Sequence, residues 1–264
     1  MRFARTALLA MCLASCKDKP AEKKPAPVTE APAKRALDRP VLETSDVTGT
    51  GVVPATTLGP KIVVSKNAIE LDGQRVMDIA ADGVINRKRL EVLTTQLETK
   101  AQSDAPVALL FDATLQYRQI GVVLDALKRA GFRNVALLTG SGSTMIPLEL
   151  PDASEVHGAG LRPMVTLQGR HVTLWSASGE EGTKTAPKAT FEVGDPPSFA
   201  PLTRALAEIV QRRWPDGTRE DADRTIILQL DGRTPTQTVL QLAAAVRADG
   251  SLVLFPGIFF AGAL

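Results

Sequence analysis

The sequence predicts an α+β protein. Two tandem two-layer α/β sandwich domains, each with helices on one face of a mixed sheet, are expected after a leader and a disordered tether. Three observations predict it. From residue 61 onward, apolar runs of strand length alternate with stripes of helical period. A shift of 119 residues lays apolar positions of one half on those of the other without a gap. Of 264 residues, 44% are hydrophobic and 23% charged, which is enough apolar material for more than one small core and excludes wholesale disorder.

Composition also narrows the function. Aromatic residues make up 4% of the chain, too few for a stacking platform, and 31 basic against 29 acidic residues leave a formal charge of +2. Nucleic acid is therefore not an expected partner. Cys12 and Cys16 lie far from His157 and His171 in sequence, both thiols falling within the first sixteen residues. That spacing does not make a Cys/His metal site or a Cys–His catalytic pair, so neither metal nor cofactor is expected.

Arg2 and Arg5 precede an apolar stretch at residues 6–15, too short for a helix that spans a bilayer of roughly 30 Å. Residues 1–15 read as a cleaved signal peptide. Leu13-Ala14-Ser15-Cys16 is similar to a bacterial lipobox, which implies lipidation of Cys16 and membrane attachment through that lipid anchor. An ordinary signal peptide with an incidental Cys16 is the alternative. The expected place is the bacterial cell envelope, facing the periplasm. Lys17 is not the aspartate associated with inner-membrane retention, so the outer membrane is favoured over the inner.

Residues 16–60 read as a Pro/Ala/Lys-rich tether. Pro20, Pro25, Pro27, Pro32, Pro40, Pro54 and Pro60 interrupt it, its charges alternate in sign, and it lacks apolar periodicity. The first domain is assigned to residues 61–150. Ile62-Val63-Val64 and Ile69-Glu70-Leu71 form a hairpin, with Asp72-Gly73 as the next turn signal. Asn86 is placed to cap a helix bearing Leu90, Leu93 and Leu97. Residues 107–111 are a continuous apolar run, a strand buried on both faces. The next helix carries Tyr117, Ile120, Val123, Leu124 and Leu127, and closes with Lys128, Arg129 and Gly131. Another buried strand follows at residues 135–138.

A loop-rich linker is expected over residues 151–163 and a second domain over residues 164–264. There Leu109 maps on Leu228, Asp112 on Asp231, Ala126 on Ala245, Lys128 on Arg247 and Gly131 on Gly250. Residues 164–175 repeat the hairpin, and Leu202, Leu206, Ile209 and Val210 supply the helix.

The order of elements over residues 61–139 resembles the periplasmic domain of the ExbD/TolR family. The resemblance is most specific where a strand ends in Asp112, where Tyr117-Arg118 opens a helix, and where Leu127-Lys128-Arg129-Ala130-Gly131-Phe132 leads into Val135 and Leu137. It implies a noncatalytic recognition or scaffold module of an envelope transport or motor system, with envelope protein partners and peptidoglycan as a further ligand. Residues 6–15 hold no carboxylate, so the family's intramembrane proton coupling does not carry over. A stand-alone envelope lipoprotein that binds peptidoglycan or a small ligand is the alternative.

The candidate partner-binding residues are Tyr117 and Arg118, with Phe255, Phe259 and Phe260 of the apolar carboxyl-terminal segment. That segment also reads as a closing strand with a docked tail. No catalytic residues are assigned. Gly140-Ser141-Gly142-Ser143-Thr144 lacks the Gly-Lys-Ser/Thr of a phosphate loop, and Pro147 would break a following helix. Asp112 and Asp231 read as helix caps rather than an acid/base pair. His157 and His171 have no acidic neighbours at triad or metal spacing, and Ser176, Ser178 and Gly179 make no nucleophile elbow.

Overall fold

Periodicity of 3.6 residues builds four helices among the described residues. In the computed structural model these are α1 (Leu90–Glu98), α2 (Tyr117–Arg129), α3 (Ala200–Arg213) and α4 (Thr236–Arg247). The structure describes residues 42–47, 49, 51–80, 83–86, 90–100, 105–151, 161–215 and 224–262, which belong to one compact unit, Pro40–Leu264. The leader, Cys16, the greater part of the tether and His157 lie outside the described residues.

Fourteen strands accompany the helices among the described residues: β1 (Val53–Pro54), β2 (Lys61–Val64), β3 (Ala68–Leu71), β4 (Gln74–Asp78), β5 (Val107–Phe111), β6 (Asn134–Thr139) and β7 (Thr144–Glu149) in the first half. The second half adds β8 (Pro163–Gln168), β9 (His171–Ser176), β10 (Ala189–Glu192), β11 (Thr225–Leu230), β12 (Ala248–Asp249), β13 (Leu252–Val253) and β14 (Gly257–Phe260). The β3–β4 turn puts both Asp72 (φ 52) and Gly73 (φ 78) in the left-handed region, the backbone demanded of a two-residue hairpin turn that follows the strand twist.

Two tandem sandwiches do not form. Twelve strands join one mixed sheet in the order β10-β9-β8-β11-β14-β7-β6-β5-β2-β3-β4, with β1 on the edge of β7. The physical reason is β7, in a stretch the sequence presents as glycine-rich loop followed by Pro147. It pairs with β6 along its whole length, antiparallel, and its other edge is shared. Val53 and Pro54 of β1 face Met145 and Thr144, while Gly257 of β14 faces Glu149. Proline is tolerated here because the seam asks little of its missing N–H, and the Pro147 carbonyl accepts the Arg247 Nε–H at 2.6 Å.

The helices cover one face. Leu93, Leu97, Ile120, Val123, Leu206, Ile209, Val239 and Leu242 are buried in one apolar cluster with Ile62, Leu109, Leu137, Leu228 and Ile258 of the sheet. Each fully buried leucine or isoleucine contributes on the order of 1.5–3 kcal/mol. On the opposite face of β5–β7, Ala108, Leu110, Ala136, Leu138 and Met145 are covered by Leu42, Val53, Ala55 and Leu58. Within residues 42–60, read from sequence as tether, Ser45, Val47 and Gly51 are thus buried and Leu42, Val53, Ala55 and Leu58 pack on the sheet.

This packed strap threads between elements. The Glu43 carbonyl accepts Ala113 N–H at 2.7 Å, the Ser45 carbonyl accepts Gly140 N–H at 2.8 Å, and Gln237 Nε2 donates to the Asp46 carbonyl. Gly51 lies so close to the Ala244 carbonyl of α4 that a β-carbon has no room.

Near the ends of α2 and α4 the two halves exchange backbone hydrogen bonds. Tyr117 N–H donates to the Thr234 carbonyl at 2.8 Å and Thr236 N–H to the Leu115 carbonyl at 3.0 Å. Gln116 and Pro235, themselves 119 residues apart, face each other as an antiparallel bridge. β5 and β11 run in opposite directions within the sheet, and the β7–β14 seam between the halves is a single paired position, Gly257 opposite Glu149.

Candidate functional site

Helix α2 positions one wall of a groove. Its apolar stripe of Tyr117, Ile120, Val123, Leu124 and Leu127 is buried, which turns Arg118, Asp125, Lys128 and Arg129 outward. At its start the Gln119 side chain accepts Gln116 N–H at 2.7 Å and donates to the Gly83 carbonyl at 2.6 Å. At its end Gly131 (φ 86) donates to the Lys128 carbonyl at 3.0 Å and Phe132 to the Leu127 carbonyl at 3.1 Å, the double bond that closes a helix on a left-handed glycine.

The other wall is the end of β14. Between them lies a groove of about 480 Å³, with Gly121, Val122 and Leu124 at its floor and Phe259, Phe260, Ala261 and Gly262 opposite. That volume is within the range of small-ligand clefts. Tyr117, 1% exposed, donates its hydroxyl to the Ala261 carbonyl and packs its ring 6.3 Å from that of Phe260 at 39°. Burial pushes the Tyr117 phenol up, beyond any physiological titration. Lys128 Nζ sits 3.9 Å over the half-buried Phe259 ring, a cation–π contact. Asp125 and Arg129 pair along the helix at 2.7 Å, and Arg118 is exposed at the rim.

Four of the five residues expected to meet a partner therefore converge: Tyr117, Arg118, Phe259 and Phe260. Phe255 does not. It is fully buried, with its ring edge-on to Trp214 at 6.4 Å, and Arg224 locks the same corner by donating Nε–H to the Leu254 carbonyl at 2.9 Å. Asp125, Lys128 and Arg129 complete the rim. The sequence offered Lys128 and Arg129 only as basic residues at a helix end, a role they also fill.

The residues weighed for chemistry are engaged in structure. Asp112, 2% exposed, accepts Thr114 N–H at 2.9 Å, the Thr114 hydroxyl and Glu43 N–H at 3.3 Å. It is an Asx turn before α2 and not the cap itself, which falls at Gln116. Asp231 repeats the turn by accepting Arg233 N–H at 2.9 Å. His171 is exposed at the start of β9, and the Ser176 hydroxyl accepts Glu181 N–H at 2.9 Å. Glu181, buried among Arg212, Arg213 and Lys188, ties the loop after β9 to the end of α3. Gly140-Ser141-Gly142-Ser143-Thr144 makes the β6–β7 turn and enters β7. Among the described residues, no three of His, Cys, Asp and Glu come together as a metal site, and no helix is long and apolar enough to cross a membrane.

No protein-family profile matches the chain, and no curated protein matches it significantly. One solved structure to which it is similar is a Bacteroides thetaiotaomicron protein with an actin-like ATPase fold and unknown function. That protein is 7% identical, and the match covers 79% of this chain and 93% of that one, with a TM-score of 0.24. Similarity at that level carries no argument about fold or function.

Proposed function

We propose that this chain is a noncatalytic recognition or scaffold lipoprotein of the bacterial envelope, held to a membrane through Cys16 and meeting a protein partner of a transport or motor assembly in the α2–β14 groove. The observation that carries the reading is the convergence on one open cleft of Tyr117 and Arg118 with Phe259 and Phe260, two adjacent pairs at least 141 residues apart in sequence. Aromatic and arginine side chains around a concave floor are what protein recognition uses. The resemblance of residues 61–139 to the ExbD/TolR family supports an assembly of the biopolymer-transport type. The engagement of both Asp112 carboxylate oxygens, one by Thr114 in the turn and the other by the Glu43 N–H, supports a noncatalytic role.

The test is photo-crosslinking in intact cells from position 118, with the exposed Val253 as the comparison position. Capture of an integral component of a proton-driven envelope complex from position 118, and not from 253, is the expected result. Cosedimentation of the purified protein with peptidoglycan, with no such capture, would instead favour a cell-wall binder. Mass analysis of the mature chain should find acylated Cys16 as the first residue.

A further inference from the structure

A cleft lies between the two helices of each half. In the first half Val122, Asp125, Ala126 and Arg129 of α2 line a cleft of about 200 Å³ against α1, and Arg129, the one cation among its described lining residues, is paired with Asp125 at 2.7 Å. The 119-residue offset carries those four positions to Gln241, Ala244, Ala245 and Ala248, and all four line a cleft of about 400 Å³ between α4 and the start of α3. Alanines stand where the ion pair stood, and a carboxamide stands where valine did. The second cleft is cleared of its own helix charges and is twice as large.

Unpaired charges take their place on its walls. Arg204 comes from the second turn of α3 and Asp249 from β12, beyond the end of α4. Both are exposed, and neither side chain makes an ion pair or hydrogen bond among the described residues. The Oε1 of Gln241 is buried and has no hydrogen-bond donor. The first turn of α3 has no side-chain cap, and Phe199, Ala200 and Thr203 bring that positive helix end to the same cleft. The walls are fixed in advance, because the Thr203 hydroxyl donates to the Phe199 carbonyl at 3.2 Å and to the Ala245 carbonyl of α4 at 3.1 Å.

What complements these groups is a molecule with an anionic end, a cationic end and an amide. A carboxylate matches Arg204 and the amino end of α3, and an ammonium matches Asp249. Gln241 offers a donor and an acceptor, the complement of a peptide group. A buried carboxamide oxygen without a donor is an exception in folded proteins, and a ligand N–H would satisfy it. The volume is that of a small-ligand cleft and exceeds what a single small amino acid fills. We infer that the α3–α4 cleft binds a short peptide with both termini free. This site is separate from the α2–β14 groove and stands or falls independently of the recognition reading.

The experiment is isothermal titration of the full chain with the dipeptide L-alanyl-L-alanine, with its N-acetyl form and with its carboxyl-amidated form. The free dipeptide should bind saturably, and each blocked form at least tenfold more weakly. Arg204→Gln should weaken the free dipeptide at least tenfold and erase its advantage over the amidated form. Asp249→Asn should do the same for its advantage over the N-acetyl form. Both side chains are exposed, so the melting curves should not change, and the blocked peptides test the inference on the unaltered chain in any case. Absence of saturable binding, equal binding of either blocked form, or an advantage that survives its matching substitution would overturn the inference.

Discussion

Thr236 donates both its backbone N–H, at 3.0 Å, and its hydroxyl, at 2.8 Å, to the Leu115 carbonyl, 121 residues away and across the joint between the halves. The reciprocal bond, from Tyr117 N–H to the Thr234 carbonyl, lacks a second donor because tyrosine stands where threonine would be. Thr236 is fully buried, so its hydroxyl has no water to fall back on. Thr236→Val keeps shape and the backbone bond but loses the hydroxyl bond, and should cost about 1 kcal/mol of stability. Thr236→Ser should restore most of it. Urea denaturation of the three proteins measures this, and an unchanged midpoint for the valine variant would remove the hydroxyl from the account.

Gly51 is required for contact, not for its φ. A β-carbon there meets the Ala244 carbonyl, and neither backbone can retreat without lifting the strap or shifting α4. Gly51→Ala should destabilise by about 1–3 kcal/mol. Its signature should be faster hydrogen exchange at Ala55, whose N–H donates to the Ser143 carbonyl at 3.0 Å beside β1. Gly121 offers the opposite case, with open space around its would-be β-carbon inside α2. Gly121→Ala should raise stability by roughly 0.5–1 kcal/mol, read as a higher melting temperature.

The aromatic residues of the carboxyl-terminal segment separate by function under mutation. Phe255→Ala empties a fully buried site against Trp214 and should cost about 3–5 kcal/mol. Phe259→Ala removes a half-buried ring and its contact with Lys128, for a cost of about 1 kcal/mol. Guanidinium denaturation distinguishes them, and equal losses would place Phe259 in the core and take it from the groove.

What the sequence made legible was whatever advertises itself by period. The stripes Leu90-Leu93-Leu97 and Tyr117-Ile120-Val123-Leu124-Leu127 announce α1 and α2, and the apolar run at 107–111 announces a central strand. Strand β7 was hidden because Pro147 reads as a breaker until one knows that the strand's outer edge is a loose seam. The strap was hidden because its packed apolar residues, Leu42, Val47, Val53 and Leu58, recur at no helical or strand period, and carbonyls and a glycine supply the rest of its anchoring. Adjacent phenylalanines in the tail give no sign of which ring turns inward. Pro256 and Gly257 re-aim the chain between Phe255 and Phe259, and only the pairing of β14 with β11 decides it. The groove needed residues from both halves to be brought together, which no local pattern encodes.

Asp72 should confer a small acid sensitivity on the β3–β4 end of the sheet. Partial burial works to raise its carboxyl, but the Lys100 ammonium and the Lys61 N–H, which donates at 2.8 Å, together hold it below the usual carboxylate value of 3.8. A group depressed in the folded state adds stability above its unfolded value and loses it as pH falls through the folded one, so the contribution is complete at neutral pH and fades below about pH 4. Both side chains are about two-fifths exposed, so solvent limits the effect to under about 1 kcal/mol. Asp72→Asn retains a residue tolerant of the positive φ at this position and removes the charge. Stability of the two proteins should differ at pH 7, converge toward pH 3, and differ less in high salt. A gap that stays constant between pH 7 and pH 3 would assign Asp72 to turn geometry alone.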